Sequence, residues 1–90
     1  MQDTAKDLMV YFEKLGALRH LSPDHKDVQE IVADLQQFIT EHYYHCTLTI
    51  FRSLGIMYAG GGEMTENIDA AGGEGTGIFA QQAIEIYCDR

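Results

Sequence analysis

Apolar residues along this chain recur at intervals of three and four almost from end to end, and the pattern is interrupted only at Ser22-Pro23, Gly60-Gly61-Gly62 and Gly72-Gly73. Such spacing gathers side chains on one face of an α-helix, and it nowhere gives way to the alternation of a strand. The chain is therefore restricted to a few helices joined by short turns. Its 90 residues amount to one domain. A domain of that size buries only about 60–65% of the surface its unfolded chain exposes, enough for one core and one cleft.

The first helix is expected from Thr4 to His20, with Thr4 and Asp7 as a capping box and Leu8, Tyr11, Phe12, Leu15 and Leu18 on its apolar face. Ser22 is the natural cap of the second, with Pro23 at its first position and Asp24 in its first turn. Val28, Ile31, Val32, Leu35, Phe38, Ile39 and His42 follow as one stripe, which runs on through Tyr43, Cys46, Ile50, Phe51, Leu54, Met57 and Tyr58. A break near Tyr43-Tyr44-His45 is favoured, because β-branched Thr47, Thr49 and Ile50 lower helix propensity just beyond it. The triple glycine ends the third helix, a short helix covers Glu63 to Ala71, and Glu74 or Thr76 opens the last. In that last helix Ile78, Phe79, Ala83, Ile86 and Tyr87 are expected to face inward.

Charge and composition exclude several classes of function. A net charge of −8 with six scattered basic residues argues against direct contact with nucleic acid by this domain. No apolar run approaches the length of a membrane span, and the polar start does not resemble a secretory signal, so a cytoplasmic protein is expected. Cys46 and Cys88 read as free thiols in a reducing compartment. No nucleophile stands beside a base and an orienting group, so an enzyme is not expected, and no cofactor is implied.

Two constellations remain. His42, His45 and Cys46 have helical spacing compatible with zinc or haem, but no second cluster completes a site, and the bland alternative is a core-edge histidine with a small buried cysteine. The rings of Phe38, Tyr43, Phe51, Tyr58, Phe79 and Tyr87 are either plain core or the lining of a small-molecule cleft.

Longer stretches tip that balance. Leu54-Gly55-Ile56-Met57-Tyr58, then Met64-Thr65-Glu66-Asn67-Ile68-Asp69, then Gly75-Thr76 and Ala83-Ile84-Glu85-Ile86-Tyr87-Cys88 resemble the TipAS antibiotic-recognition domain, the effector-binding module of drug-responsive MerR-family transcription activators. The spacing fits that family without gaps from Phe38 to Ile84. The resemblance implies an all-α, globin-like arrangement of about five helices around an apolar cleft that takes bulky antibiotics, with the N-terminal part closing over the ligand. It implies one ligand-binding domain over residues 1–90, with the DNA-binding region and the dimerising coiled coil of such regulators lying outside it.

Departures from the family pattern are informative. Gly61, Gly62 and Glu63 stand where relatives carry an acidic–basic pair, Met64 replaces a Phe, and Leu35 falls where many carry His. Ser53 occupies the position of a cysteine that captures ligand covalently in one member, and Cys46 aligns elsewhere, so reversible capture is expected. Phe38, Tyr43, Phe51, Tyr58 and Phe79 are the expected stacking surface. Met64 and Ile68 form an adaptable floor, Met57 also suits the cleft, His42 is a polar contact, and Cys46 is a further ligand-binding residue. The expected partner is a hydrophobic antibiotic or drug-like molecule. A stand-alone drug-sequestering protein and a helical protein-interaction module are the alternatives.

Overall fold

A computed structural model describes residues 4–90 and contains five α-helices, α1 (Thr4–Ala17), α2 (Lys26–His42), α3 (Leu48–Tyr58), α4 (Glu63–Gly72) and α5 (Thr76–Cys88). No strand occurs among the described residues, so the expected all-α, five-helix class is the observed one. α5 packs against each of the other four helices. Its sequence suits that central place. It is apolar around most of its circumference, and its small buried residues Gly77, Ala80 and Ala83 let neighbouring helices come close. The core is one cluster drawn from every helix, with Phe12, Leu15, Val28, Val32, Leu35, Phe51, Ile68 and Ile84 essentially sealed from solvent.

Several boundaries differ from those the sequence suggests. Thr4 is already helical, so it does not hold the cap position expected of it. α1 stops at Ala17 rather than His20, and the chain turns through hydrogen bonds from Leu18 N–H to Leu15 and from Leu21 N–H to Leu18. α2 begins at Lys26, not after Ser22. Ser22 spends its hydroxyl on Asp24 Oδ1 at 2.6 Å, and His25 caps instead, its Nδ1 accepting from the Asp27 N–H at 3.0 Å. The break between α2 and α3 falls where β-branching suggested, and Thr47 is its beneficiary, with Oγ1 accepting from the Ile50 N–H at 3.2 Å. Ile78 is 54% exposed rather than inward, and Ile50 also faces solvent. Both lie on the outer sides of helices whose inner faces are already filled.

The stretches that carry the family resemblance are largely structural. Thr65 Oγ1 donates to the Tyr58 carbonyl at 2.7 Å and accepts from the Gly61 N–H at 2.9 Å, which ties off the end of α3. Ile68 enters the core. Asp69 Oδ1 accepts from the Gly77 N–H at 2.8 Å and so caps α5, whose own N-cap is a glycine without a side chain to offer. Replacing Asp69 by Ala should therefore cost about 1 kcal/mol, while Asn, which keeps an acceptor oxygen, should cost less than half of that. Urea denaturation of the two variants checks this; equal stability of Asp69→Ala and the parent would contradict it.

Candidate ligand pocket between α1, α3 and α4

The break after His42 turns the chain so that Tyr43 and Tyr44 stand on a loop instead of a helix face, each about half exposed. Behind them lies a hollow of about 170 Å³ lined by Leu8 of α1, Ile39 of α2, Leu54, Met57 and Tyr58 of α3, and Met64 of α4 together with the two tyrosines. No charged side chain lines it. Sites for drug-sized molecules typically hold ~300–1,000 Å³. This hollow is therefore sized for one ring system of a larger ligand. Its mobile contacts are favourable for growth: Met57 is 49% exposed, and thioethers adapt to varied shapes.

Tyr58 is the polar element of the floor. It is 2% exposed, and its ring meets Phe12 edge-on at 5.0 Å. Burial pushes its pKa well above the ordinary 10.0, with smaller contributions from Tyr44, Cys46 and Tyr43. The hydroxyl is thus neutral at physiological pH and can donate to or accept from a ligand. The sign of the linkage follows: the folded state holds this proton more tightly than the unfolded chain, so stability is undiminished below pH 10.0 and falls as pH rises beyond it. Spectrophotometric titration should show one phenol that ionises only as the helices melt, and Tyr58→Phe should remove that signal. A Tyr58 phenolate forming in the folded protein near pH 10.0 would contradict the assignment.

The residues singled out from sequence fall into three groups. Tyr43, Met57, Tyr58 and Met64 meet in the pocket. Phe38 and His42 lie around the corner, in a shallower groove between α1 and α2, with ring centroids 4.4 Å apart. Cys46, Phe51, Ile68 and Phe79 are buried in the core, where a ligand reaches them only if helices separate. Sequence reasoning missed Leu8, Ile39 and Leu54 as lining, because they sit in apolar stripes like any core residue. Tyr44 was missed as well, although it lines the hollow from the same loop as Tyr43.

The histidine–cysteine constellation does not assemble. α2 ends at His42, so Cys46 is not one helical turn further on; Cys46 is buried, whereas His42 and His45 are exposed. Among the described residues no three His, Cys, Asp or Glu side chains gather into a group able to hold a metal. Both cysteines are free. Burial raises the thiol pKa of Cys46, with Cys88 adding to it; burial also raises that of Cys88, partly opposed by Arg52. Protonated, enclosed thiols are poor nucleophiles. No helix among the described residues is long and apolar enough to cross a membrane.

Comparison with known proteins agrees with this architecture. The family profile of the TipAS antibiotic-recognition domain matches residues 1–87. The HTH-type transcriptional activator mta of Bacillus subtilis (strain 168) is 36% identical over 78 residues, which are 87% of this chain and 30% of that protein. The chain thus spans less than a third of that relative's length. No solved structure matches. With the family pattern running over nearly its whole length and on through the helices that frame the pocket, the chain belongs to the TipAS antibiotic-recognition domains.

Proposed function

We propose that this domain is the effector-recognition part of a MerR-type regulator and reversibly captures a bulky, largely apolar drug, one ring of which enters the hollow behind Tyr43 and Tyr44. The observation that carries the proposal is the uncharged lining of that hollow by two methionines and three tyrosines at the junction of α1, α3, α4 and the α2–α3 turn. Removal of apolar surface from water supplies the affinity, and the Tyr58 hydroxyl supplies one oriented polar contact. Capture is reversible because the buried thiols are protonated and Cys46 lies in the core. Contact with DNA and any homodimerisation are assigned to parts of the regulator outside this domain.

The methionines give a direct test. Met57 and Met64 line the hollow, whereas Met9 lies at a separate surface with Asn67 and Ala70. Titrating a panel of multi-ring antibiotics and dyes into methyl-labelled protein should shift Met57 and Met64 together and leave Met9 in place. No response from any compound, or an equal response from Met9, would overturn the proposal. Ile56 and Ile78, 61% and 54% exposed, favour a second reading as a helical interaction module. Sedimentation that depends on concentration without ligand is the result that reading requires.

A further inference from the structure

We infer that the groove between α1 and α2 is a cation-selective subsite adjoining the apolar pocket, so that the preferred ligands are aromatic cations. The inference rests on the ligand-capture reading above and adds the charge of the ligand to it. The groove is an open depression of about 450 Å³ between Asp7, Tyr11 and Lys14 of α1 and Phe38, Glu41 and His42 of α2. Its rings form a track. Tyr11 lies 5.2 Å from Phe38, and Phe38 lies 4.4 Å from His42 and 6.4 Å from Tyr43, which itself lines the apolar pocket. Successive rings are tilted against one another by 49°, 38° and 63°, so they form a stepped aromatic wall that leads from the groove toward Tyr43 and the hollow behind it.

The electrostatics of the groove select the sign. Asp7 and Glu41 stand in its walls. Together with Asp34 they act on the Tyr11 ring, where burial and then Asp34, Glu41 and Asp7 all push the phenol pKa upward. Lys14 is the one cation among the lining residues, and its ammonium sits 5.4 Å from the centre of the Tyr11 ring. Lys14 is exposed on a flexible stem and leaves the ring without disturbing the core. A cation over an aromatic face, in a groove whose walls carry acidic side chains, is the arrangement a ligand's ammonium or delocalised cationic ring would reproduce. The whole chain, at −8, reinforces the preference at longer range.

The test compares 9-aminoacridine, a planar cation at neutral pH, with its uncharged parent acridine, by fluorescence titration and by chemical shifts of the intact protein. The cation should bind about tenfold more tightly, with Glu41→Gln reducing and Lys14→Gln increasing its affinity by roughly threefold each, and neither change altering acridine binding. Opposite effects from two exposed side chains are not produced by loss of structure. Cation binding that shifts Phe38 and His42 supports the subsite even if Met57 and Met64 stay still, in which case only the apolar-pocket reading falls. Equal affinities of the two compounds, with shifts confined to Met57 and Met64, overturn the subsite and leave the pocket standing. If neither compound moves either group of residues, both fall.

Discussion

Gly16→Ala is expected to lower stability by about 3 kcal/mol and the melting temperature by roughly 15 °C, although alanine is ordinarily the better helix former by up to ~1 kcal/mol. The reason is the crossing of α1 and α4. A Cβ at position 16 would lie 2.1 Å from the Gly72 carbonyl oxygen and 2.5 Å from its Cα, and a Cβ at position 72 would meet the Phe12 carbonyl at 2.5 Å. Every atom in the way at position 16 is backbone, so no side chain can swing aside and the two helices must part. Parting them also strains Arg19, which bridges the Gly16 and Glu74 carbonyls across the same junction. Domains of this kind have only ~0.05–0.15 kcal/mol per residue of net stability, so the loss is a large fraction of the total. Gly62, whose Cβ would meet nothing within 4 Å, is the control and should tolerate alanine within about 0.5 kcal/mol. Thermal melts followed by circular dichroism decide it, and a Gly16→Ala protein that melts with the parent would mean that α1 and α4 do not cross as described.

Met57→Asp should weaken binding of an apolar multi-ring ligand by about a hundredfold, because it removes a thioether contact and sets a carboxylate against a surface that excludes water. Met57 is half exposed, so its loss opens no cavity in the core. The carboxylate does meet the carbonyl end of α3, which costs ~0.3–1 kcal/mol. Ile56→Asp provides the matched control, with the same charge one residue earlier on the same helix at a side chain that is 61% exposed and lines no part of the hollow. The two variants should have similar urea midpoints and very different affinities. Equal affinities by calorimetry would remove α3 from the site.

Much of the fold was legible because helix periodicity and its interruptions are local properties. The five helices, the break after His42 and the glycine-marked ends all follow from spacing and conformational preference. The errors lie where a residue had two possible uses. Ser22 is an excellent cap in isolation, yet Asp24 captures its hydroxyl, and the Pro23 carbonyl is taken by Gln29 Nε2 at 2.8 Å, so His25 becomes the cap and α2 starts at Lys26. Ile78 looked like core because it is apolar, but α5 already presents Phe79, Ala80, Ala83 and Ile84 to its neighbours.

The site was less legible than the fold for a related reason. A pocket wall and a core are built from the same apolar residues at the same spacing, so periodicity could not separate Met57 and Met64, which border the hollow, from Phe51 and Ile68, which are sealed inside. The distinguishing fact is how helices cross, and that depends on pairs distant in sequence, such as Gly16 with Gly72 or Gly55 with Ile84. The stretch that signals the family divides its labour in a way no sequence pattern announces. Leu54, Met57, Tyr58 and Met64 line the hollow, while Gly55, Thr65, Ile68 and Asp69 hold the helices that make it.

The most direct measurement is a set of intermolecular nuclear Overhauser contacts between a bound multi-ring drug and selectively labelled methyl groups. The account predicts contacts from ligand ring protons to Leu8, Met57 and Met64, residues that meet only at this junction of three helices, and none to Met9 or Ile78. A tightly bound ligand whose contacts run to Ile56 and Ile78 instead, leaving Met57 and Met64 silent, would contradict it.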